Sequence, residues 1–350
     1  MPCFSPLPYK IGNSLTKAGK SSILVLPRTE ANLALYPLRV PCGNCQFCRL
    51  KRSRHWAIRC MHEASLYLPS FDNPLARSNC FITLTYNNAH LPEHNTLVKD
   101  DFKNFMKRLR KRFVPKCPYP KGHSDRSSWF RQNGIRYYMC GEYGSKYSRP
   151  HYHALLFNFN FDFDKYFWQK SPSGSDLYRS PSLEAAWSDK NGSIGYSSVA
   201  DLTFDSAAYV ARYVMKKING DAALTRYAVI DEDSGEVLFD KVPEYNAMSR
   251  KPGIARDWIS KHYKDVYSND SVVVKNTEYS PPKFYDNYYE LVSPEDLYNI
   301  KQARLNKAKS LVLPESRLAV LSKCKSRQVE RLYRNLDDYF DNYFDIGIDP

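Results

Sequence analysis

Apolar residues recur at helical spacing in several segments of the chain. Between residues 100 and 113 they lie three or four positions apart, with lysines and arginines on the opposite face, as expected for a helix that packs one face on a core. Residues 49–68 show the same spacing in a basic context, and Asp205 or Ser206 is a suitable N-cap for a later helix. The pattern predicts helices at 49–68, 100–113, 182–188, 205–218 and 254–267, and a charged helical tail beyond 294.

Other segments alternate in polarity or are rich in β-branched residues, which is typical of strands. Such strands are predicted at 23–26, 80–86, 135–143, 151–159, 194–202 and 271–274. The intervening residues 144–150 predict a hairpin, and a second hairpin is predicted around Gly235, whereas 115–134 and 160–180 are expected to be loops. This order of elements predicts an α+β fold with a central antiparallel sheet and helices packed on one face.

The same pattern divides the chain into four segments. We expect a Cys-rich segment with a basic helix at 1–70, the core at 71–220, an accessory hairpin and helix region packed on the core at 221–290, and the charged helical tail at 291–350. No stretch has the roughly 20 apolar residues of a membrane helix, and the N-terminus has no apolar signal region. A soluble, intracellular protein is therefore expected.

Composition points to an anionic partner. Lys and Arg exceed Asp and Glu by 51 to 37, giving a formal charge of +14, and the chain contains 27 tyrosines and 18 phenylalanines. Cations interleaved with aromatic rings suit nucleic acid with unpaired bases, although a generally basic, solvated surface is the alternative. Basic residues near the helix at 49–68 and beside the strand at 151–159 are candidates for phosphate contacts: Arg49, Arg52, Arg54 and Arg149, together with Lys217.

A pair of histidines is the first chemical signal. His151 and His153 lie two positions apart in a predicted strand, so both imidazoles point to one face and can hold one cation. Through the predicted hairpin, Glu142 comes close to them. Two imidazoles and one carboxylate leave coordination positions open and suit Mg²⁺ or Mn²⁺ bound to a phosphate oxygen. The alternative is two ordinary histidines and a surface glutamate.

A pair of tyrosines is the second signal. Tyr209 and Tyr213 share a face of the predicted helix at 205–218, and Lys216 and Lys217 continue that face. A phenol becomes an effective nucleophile where a metal polarises the phosphate and a nearby ammonium stabilises charge. Since Lys216 is one turn from Tyr213, Tyr213 is predicted to attack first. The alternative is an amphipathic helix that buries two tyrosines in the core.

Cysteines form a separate cluster. Cys42, Cys45 and Cys48 have two-residue spacings, and Cys3 is the candidate fourth ligand. Four thiolates predict structural zinc, with an iron–sulfur cluster as the alternative. Three reduced cysteines in a loop are the simplest alternative.

These motifs together resemble the HUH endonuclease superfamily of rolling-circle initiators. Its metal motif matches the strand at 151–157 and its two-tyrosine motif the helix at 209–216. The segments 41–50, 56–63, 81–86, 140–143, 149–155 and 248–253 are similar to replication initiation proteins of microviruses, especially the gokushovirus branch. The resemblance covers about residues 40–285 and implies a ferredoxin-like HUH palm in the core segment.

The resemblance also implies a reaction. One tyrosine would nick the origin DNA, form a 5′-phosphotyrosyl bond and release a 3′-OH that primes synthesis; the second would cut the regenerated origin so that the product circle is religated. The partners implied are single-stranded and supercoiled origin DNA and a host helicase and polymerase, in the cytoplasm of a bacterial host. No nucleotide cofactor is expected, because the segment 14–21 lacks the first glycine of a P-loop.

Two other interpretations remain. A zinc-stapled basic protein that binds or packages single-stranded DNA without cleavage would make the His and Tyr motifs accidental. A relaxase or single-strand transposase would keep the chemistry, but transposases of this superfamily usually carry one catalytic tyrosine.

Overall fold

A computed structural model describes residues 3–15, 21–68, 78–144, 148–171, 174–212, 227–231, 233–309, 313–314 and 316–328. These residues form two compact units, one of residues 3–52 and 301–328 and the other of residues 53–300. The four-segment division stays a prediction. None of the described helices is long and apolar enough to cross a membrane.

The first unit contains a small antiparallel sheet. Its strands, in the order β2–β1–β3, are β1 (Leu7–Leu15), β2 (Ser21–Val25) and β3 (Arg39–Val40). Helix α1 (Glu30–Leu35) follows β2, and the hydroxyl of Thr29 accepts the N–H of Asn32 at its start. The expectation of one strand at 23–26 in an otherwise irregular segment is therefore wrong. Four of the five β2 residues are exposed, so the segment lacks the alternation that reveals a half-buried strand.

The second unit is built on a seven-stranded antiparallel sheet, in the order β14–β5–β6–β4–β11–β8–β7. Its strands are β4 (Asn79–Thr85), β5 (Arg136–Tyr143), β6 (Pro150–Phe157), β7 (Tyr166–Lys170), β8 (Asp176–Arg179), β11 (Ser197–Asp201) and β14 (Tyr245–Met248). Three two-stranded ladders pair β9 (Ser188–Asp189) with β10 (Gly192–Ser193), β12 (Ala228–Ile230) with β13 (Val237–Asp240), and β15 (Val272–Val274) with β16 (Thr277–Tyr279).

The remaining helices are α2 (Gln46–Ser65), α3 (Lys99–Phe113), α4 (Arg126–Asn133), α5 (Pro181–Ala186), α6 (Phe204–Arg212), α7 (Arg256–Ser268), α8 (Lys283–Val292), α9 (Pro294–Lys309) and α10 (316–328). The predicted helices at 49–68, 100–113, 182–188 and 254–267 are thus confirmed to within a few residues. The predicted helix at 205–218 is described as far as Arg212.

Helices cover both faces of the large sheet, so the prediction that they pack on one face is wrong. On one face α3 and α5 bury residues such as Phe105 and Leu183 against the sheet. On the other face α2 and α6 bury Cys60 and Val210 against it. All eight residues of β6 are buried. A strand whose side chains are buried on both sides needs a cover on both faces.

Two segments expected to be loops contain regular structure. Residues 115–134 contain α4, which buries none of its residues, and residues 160–180 contain β7 and β8. An element that buries little of its surface leaves little apolar periodicity in the sequence. The edge strand β14 was not predicted for the same reason, since its four residues are only half-buried.

Candidate active site and cysteine cluster

The predicted hairpin of β5 and β6 brings the metal-binding candidates together. Glu142 lies directly opposite His151. On the other side of β6, Thr85 of β4 pairs with His151 and Thr83 pairs with His153. Directly paired residues of neighbouring strands share a face of the sheet, so all five side chains lie on the face that α2 and α6 cover. Glu142 and both histidines are buried.

Hydrogen bonds fix the two imidazole rings. Nδ1 of His151 lies 2.8 Å from the carbonyl oxygen of Arg149. Because a carbonyl only accepts, Nδ1 carries the proton, and Nε2 keeps its lone pair. Nδ1 of His153 lies 3.0 Å from Oγ1 of Thr83. The two rings are parallel to within 2°, with centroids 6.3 Å apart.

Tyr209 contacts this group from α6. Its hydroxyl donates to Oε1 of Glu142 over 3.4 Å, and its ring meets the ring of His153 edge-on with centroids 5.2 Å apart. Oε1 of Glu142 also lies 2.7 Å from Nε2 of His153. One carboxylate oxygen therefore touches a candidate metal ligand and a candidate nucleophile.

Small residues let α6 approach the sheet closely. Ala207 and Ala211 are fully buried on either side of Tyr209. The helix begins at Phe204 rather than at the predicted Asp205 or Ser206 cap. The hydroxyl of Thr203 accepts the N–H of Ser206, and the hydroxyl of Ser206 accepts the N–H of Thr203, which satisfies two donors at the helix start.

The donor set fits a divalent cation. Two imidazoles and one carboxylate supply nitrogen and oxygen ligands and leave further positions for phosphate oxygens. Thr83 is the kind of outer hydrogen-bonding partner that orients a ligating histidine. The sequence analysis missed it, although Thr83 and Thr85 alternate on a strand in the same way as the two histidines.

The structure brings all four predicted cysteines together in the first unit. Sγ of Cys3 lies 3.5 Å from Sγ of Cys42 and 3.6 Å from Sγ of Cys45, and with Cys48 the four sulfur atoms lie within 4.8 Å of one another. In the described part of the chain, no other group of three or more His, Cys, Asp or Glu residues has all its ligand atoms this close. Four thiolates of this kind could bind a structural metal such as zinc.

Backbone amides stabilise thiolate in this loop. Burial raises the pKa of the Cys45 thiol, but hydrogen bonds from the backbone of Cys48 and Phe4 outweigh it, and the pKa falls to about 7. The N–H of Cys42 also donates to Sγ of Cys3 over 3.3 Å. Such donors favour the deprotonated form, which is the form that binds metal.

The predicted DNA contacts differ in their surroundings. Arg149 is buried and donates to the carbonyl oxygen of Tyr86 and to Oδ1 of Asn88, so two of its nitrogens are already engaged within the fold. Arg54 is exposed and lies over the ring of Tyr279. In the first unit, Arg52 is exposed, whereas Arg49 is half-buried. Tyr213, Lys216 and Lys217 lie outside the described residues.

Comparison with known proteins shows the family. A family described as replication-associated protein ORF2/G2P matches residues 79–218, a range that includes the His, Glu and Tyr residues above. Replication-associated protein VP4 of Bdellovibrio phage phiMH2K is 33% identical over 279 residues, which cover 79% of this chain and 76% of that protein. The chain belongs to this family of phage replication-associated proteins.

Two further relatives agree with this assignment. Replication-associated protein ORF2 of Spiroplasma virus 4 is 32% identical over 77% of this chain and 74% of that protein. Replication-associated protein ORF4 of Chlamydia phage 1 is 26% identical over 77% of this chain and 59% of that protein. No solved structure matches the chain. The resemblance to microvirus replication proteins is confirmed, and the family connects the chain to phage DNA replication.

Proposed function

We propose that the chain is a metal-dependent nickase and strand transferase that initiates rolling-circle replication of a single-stranded DNA phage. The observation that carries the proposal is the contact between the Tyr209 hydroxyl and Glu142, beside His153. A buried phenol next to a potential metal site has the components for attack on a phosphodiester. The proposal includes an HUH palm, and the antiparallel sheet that carries the two histidines supports it.

The chain's own residues supply the nucleophile and its orientation. The Tyr209 oxygen attacks the scissile phosphorus, the bond from phosphorus to O3′ breaks, and a 5′-phosphotyrosyl bond forms. The phenol proton passes to Oε1 of Glu142, and the leaving O3′ takes a proton from water. A Mg²⁺ or Mn²⁺ ion bound by His151, His153 and Glu142 would polarise the phosphate and stabilise its charge.

Religation is the reverse displacement. A free 3′-OH attacks the phosphotyrosyl phosphorus, and the tyrosine leaves. Because the ester conserves the phosphodiester bond, this step needs no nucleotide cofactor. The sequence predicts that Tyr213 attacks first with Lys216 nearby and that Tyr209 acts in the second cut. The contact of Tyr209 with Glu142 supports a direct role for Tyr209 in either order.

The proposed partners are origin DNA, as single strand and supercoiled duplex, and a host helicase and polymerase in the cytoplasm of a bacterial host. The competing function is a non-catalytic, zinc-stapled protein that binds single-stranded DNA. It shares the basic composition but requires no contact between a tyrosine and the Glu–His pair.

A covalent adduct on a denaturing gel tests the proposal. Purified protein is incubated with Mn²⁺ or Mg²⁺ and single-stranded fragments that tile both strands of its phage genome. We expect a metal-dependent adduct that is lost in His151→Ala and in the Tyr209→Phe/Tyr213→Phe double variant, and the two single variants show which tyrosine leads. Tyr196→Phe is a control for the loss of a phenol elsewhere. Tight binding without any adduct would support the non-catalytic alternative.

A further inference from the structure

The second unit carries a large basic groove that the proposed chemistry does not use. Its volume is about 1450 Å³. The end of α3, helix α4, the start of β5 and the segment 249–256 form its walls. Nine of its described lining residues are basic and none is acidic: Arg110, Lys111, Lys116, Arg126, Arg131, Arg136, Arg250, Lys251 and Arg256.

Several of these cations face solvent. Lys111 and Lys116 on one wall and Arg250 and Lys251 on the other are exposed. Among the described residues, the basic side chains of the groove form two ion pairs, Arg131 with Asp257 and Arg136 with Glu63. Most of the groove's positive charge therefore has no neighbouring carboxylate to offset it, and an extended polyanion is the complementary ligand.

The wall that contains Arg250 and Lys251 is held in place from inside the fold. The N–H of Ser249 donates to the carbonyl oxygen of Tyr137, and the N–H of Tyr137 donates to Oγ of Ser249. Farther along, Arg136 donates to the carbonyl oxygen of Pro252 over 2.9 Å. The two cations are thus presented on a fixed loop rather than on a free chain end, which lowers the entropic cost of binding.

The groove lies at the far end of β5 from the candidate active site. Arg136 begins the strand in the groove, and Glu142 lies six residues along it. At about 3.3 Å per residue the two positions are about 20 Å apart. That distance corresponds to about six base pairs of duplex, so one DNA molecule can reach both places. The exposed ring of Phe130 in the groove adds an apolar surface on which a base can stack.

We propose that this groove is a second DNA-binding site, which holds the DNA backbone about 20 Å from the proposed cleavage site. It rests on the proposed function only for the identity of the DNA. The groove acts through its cations and not through base recognition, so it contributes affinity and positioning for any sequence.

Equilibrium DNA binding tests the groove without any cleavage. The full chain is titrated, without divalent metal, against fluorescent single strands and duplexes of about 30 nucleotides at about 50 to 300 mM salt. The variant Arg250→Glu/Lys251→Glu is compared with Lys261→Glu/Lys264→Glu, which makes the same change of charge at exposed residues of α7 outside the groove. A second groove variant, Lys111→Glu/Lys116→Glu, changes the opposite wall.

We expect both groove variants to bind about ten-fold more weakly than the control variant, with a salt dependence reduced by about 0.9 per lost duplex contact or about 0.7 per lost single-strand contact. The ratio of the two substrates shows which form of DNA the groove prefers. Groove variants that melt like wild type and match the control in affinity and salt dependence would overturn the proposal. Failure of the adduct assay leaves this measurement readable, because binding is measured without cleavage.

Discussion

Glu142 and His153 contact each other across neighbouring strands, with Oε1 of the carboxylate 2.7 Å from Nε2 of the imidazole. The same oxygen accepts the hydroxyl of Tyr209. Glu142 therefore connects the candidate metal ligands to the candidate nucleophile. This arrangement depends on the orientation of His153, which the hydroxyl of Thr83 fixes through Nδ1. The orientation can be tested separately from the ligands.

We expect Thr83→Val to weaken Mn²⁺ binding by about 10- to 100-fold, because loss of an outer hydrogen-bonding partner typically has an effect of this size. Thr85→Val is a matched control: it makes the same substitution two residues along β4, where Oγ1 has no hydrogen-bond partner among the described residues. Calorimetric titration with Mn²⁺ measures both affinities. Equal affinities in the two variants would show that Thr83 does not position the ligand.

Much of this site is predictable from sequence because alternation along a strand is a strict geometric rule. The spacing of His151 and His153 places both on one face, and the short connection at 144–150 brings Glu142 opposite His151, as the register confirms. Thr83 was missed because it comes from β4, and the sequence does not say which strands are neighbours. Pairing between distant segments is set by packing of the whole sheet.

The cover of the sheet shows the same limit. The apolar stripes of α2, α3 and α6 were predicted, but a stripe does not say which face of the sheet it meets. The structure places α3 on one face and α2 and α6 on the other. Tyr209 reaches the histidines because its helix is on the face to which His151 and His153 point, a relationship that the pattern of one helix cannot contain.

The cysteine cluster gives a second prediction. We expect wild-type protein to contain about one zinc ion per chain and Cys3→Ser to lose most of it, because a three-thiolate site is no longer a closed tetrahedral set. Cys324→Ser is the control, since Cys324 is an exposed cysteine outside the cluster. Elemental analysis measures the metal. Iron with a visible absorption band would favour the iron–sulfur alternative, and full zinc in Cys3→Ser would exclude Cys3 as a ligand.

The buried pair of Glu63 and Arg136 gives a third prediction. Arg136 donates to Oε1 of Glu63, and Oε2 accepts the N–H of Ala255 over 2.6 Å. Both side chains are almost fully buried. We expect Glu63→Gln or Arg136→Met alone to lower the free energy of unfolding by about 3–5 kcal/mol, because each leaves a buried charge without its partner.

The double variant Glu63→Gln/Arg136→Met removes both charges. It should be more stable than the sum of the single changes predicts, because neither charge is left unpaired. Chemical denaturation of the four proteins measures the difference. Additive changes would mean that the two groups do not interact energetically.

His62 gives a prediction about pH. Burial, and to a smaller extent the charge of His262, lowers the pKa of His62 from 6.5 to about 3. Its Nδ1 lies 2.7 Å from the hydroxyl of Tyr285, and its ring stacks on Trp258. In the unfolded chain the same imidazole takes up a proton below its ordinary pKa. Between about pH 6.5 and about pH 3 the unfolded state therefore binds more protons, and stability falls as the pH falls.

Each pH unit in that window corresponds to about 1.4 kcal/mol, so between about pH 6.5 and about pH 4.5 the contribution of His62 is about 3 kcal/mol. We expect His62→Gln to lose about that much less stability than wild type over this range, even if its stability at neutral pH is lower. His123→Gln, at an exposed histidine, should follow wild type. Denaturant unfolding at the two pH values measures the change, and the comparison cancels the titration of carboxylates that all three proteins share. Parallel losses in wild type and His62→Gln would mean that His62 is protonated in the folded protein as readily as in the unfolded chain.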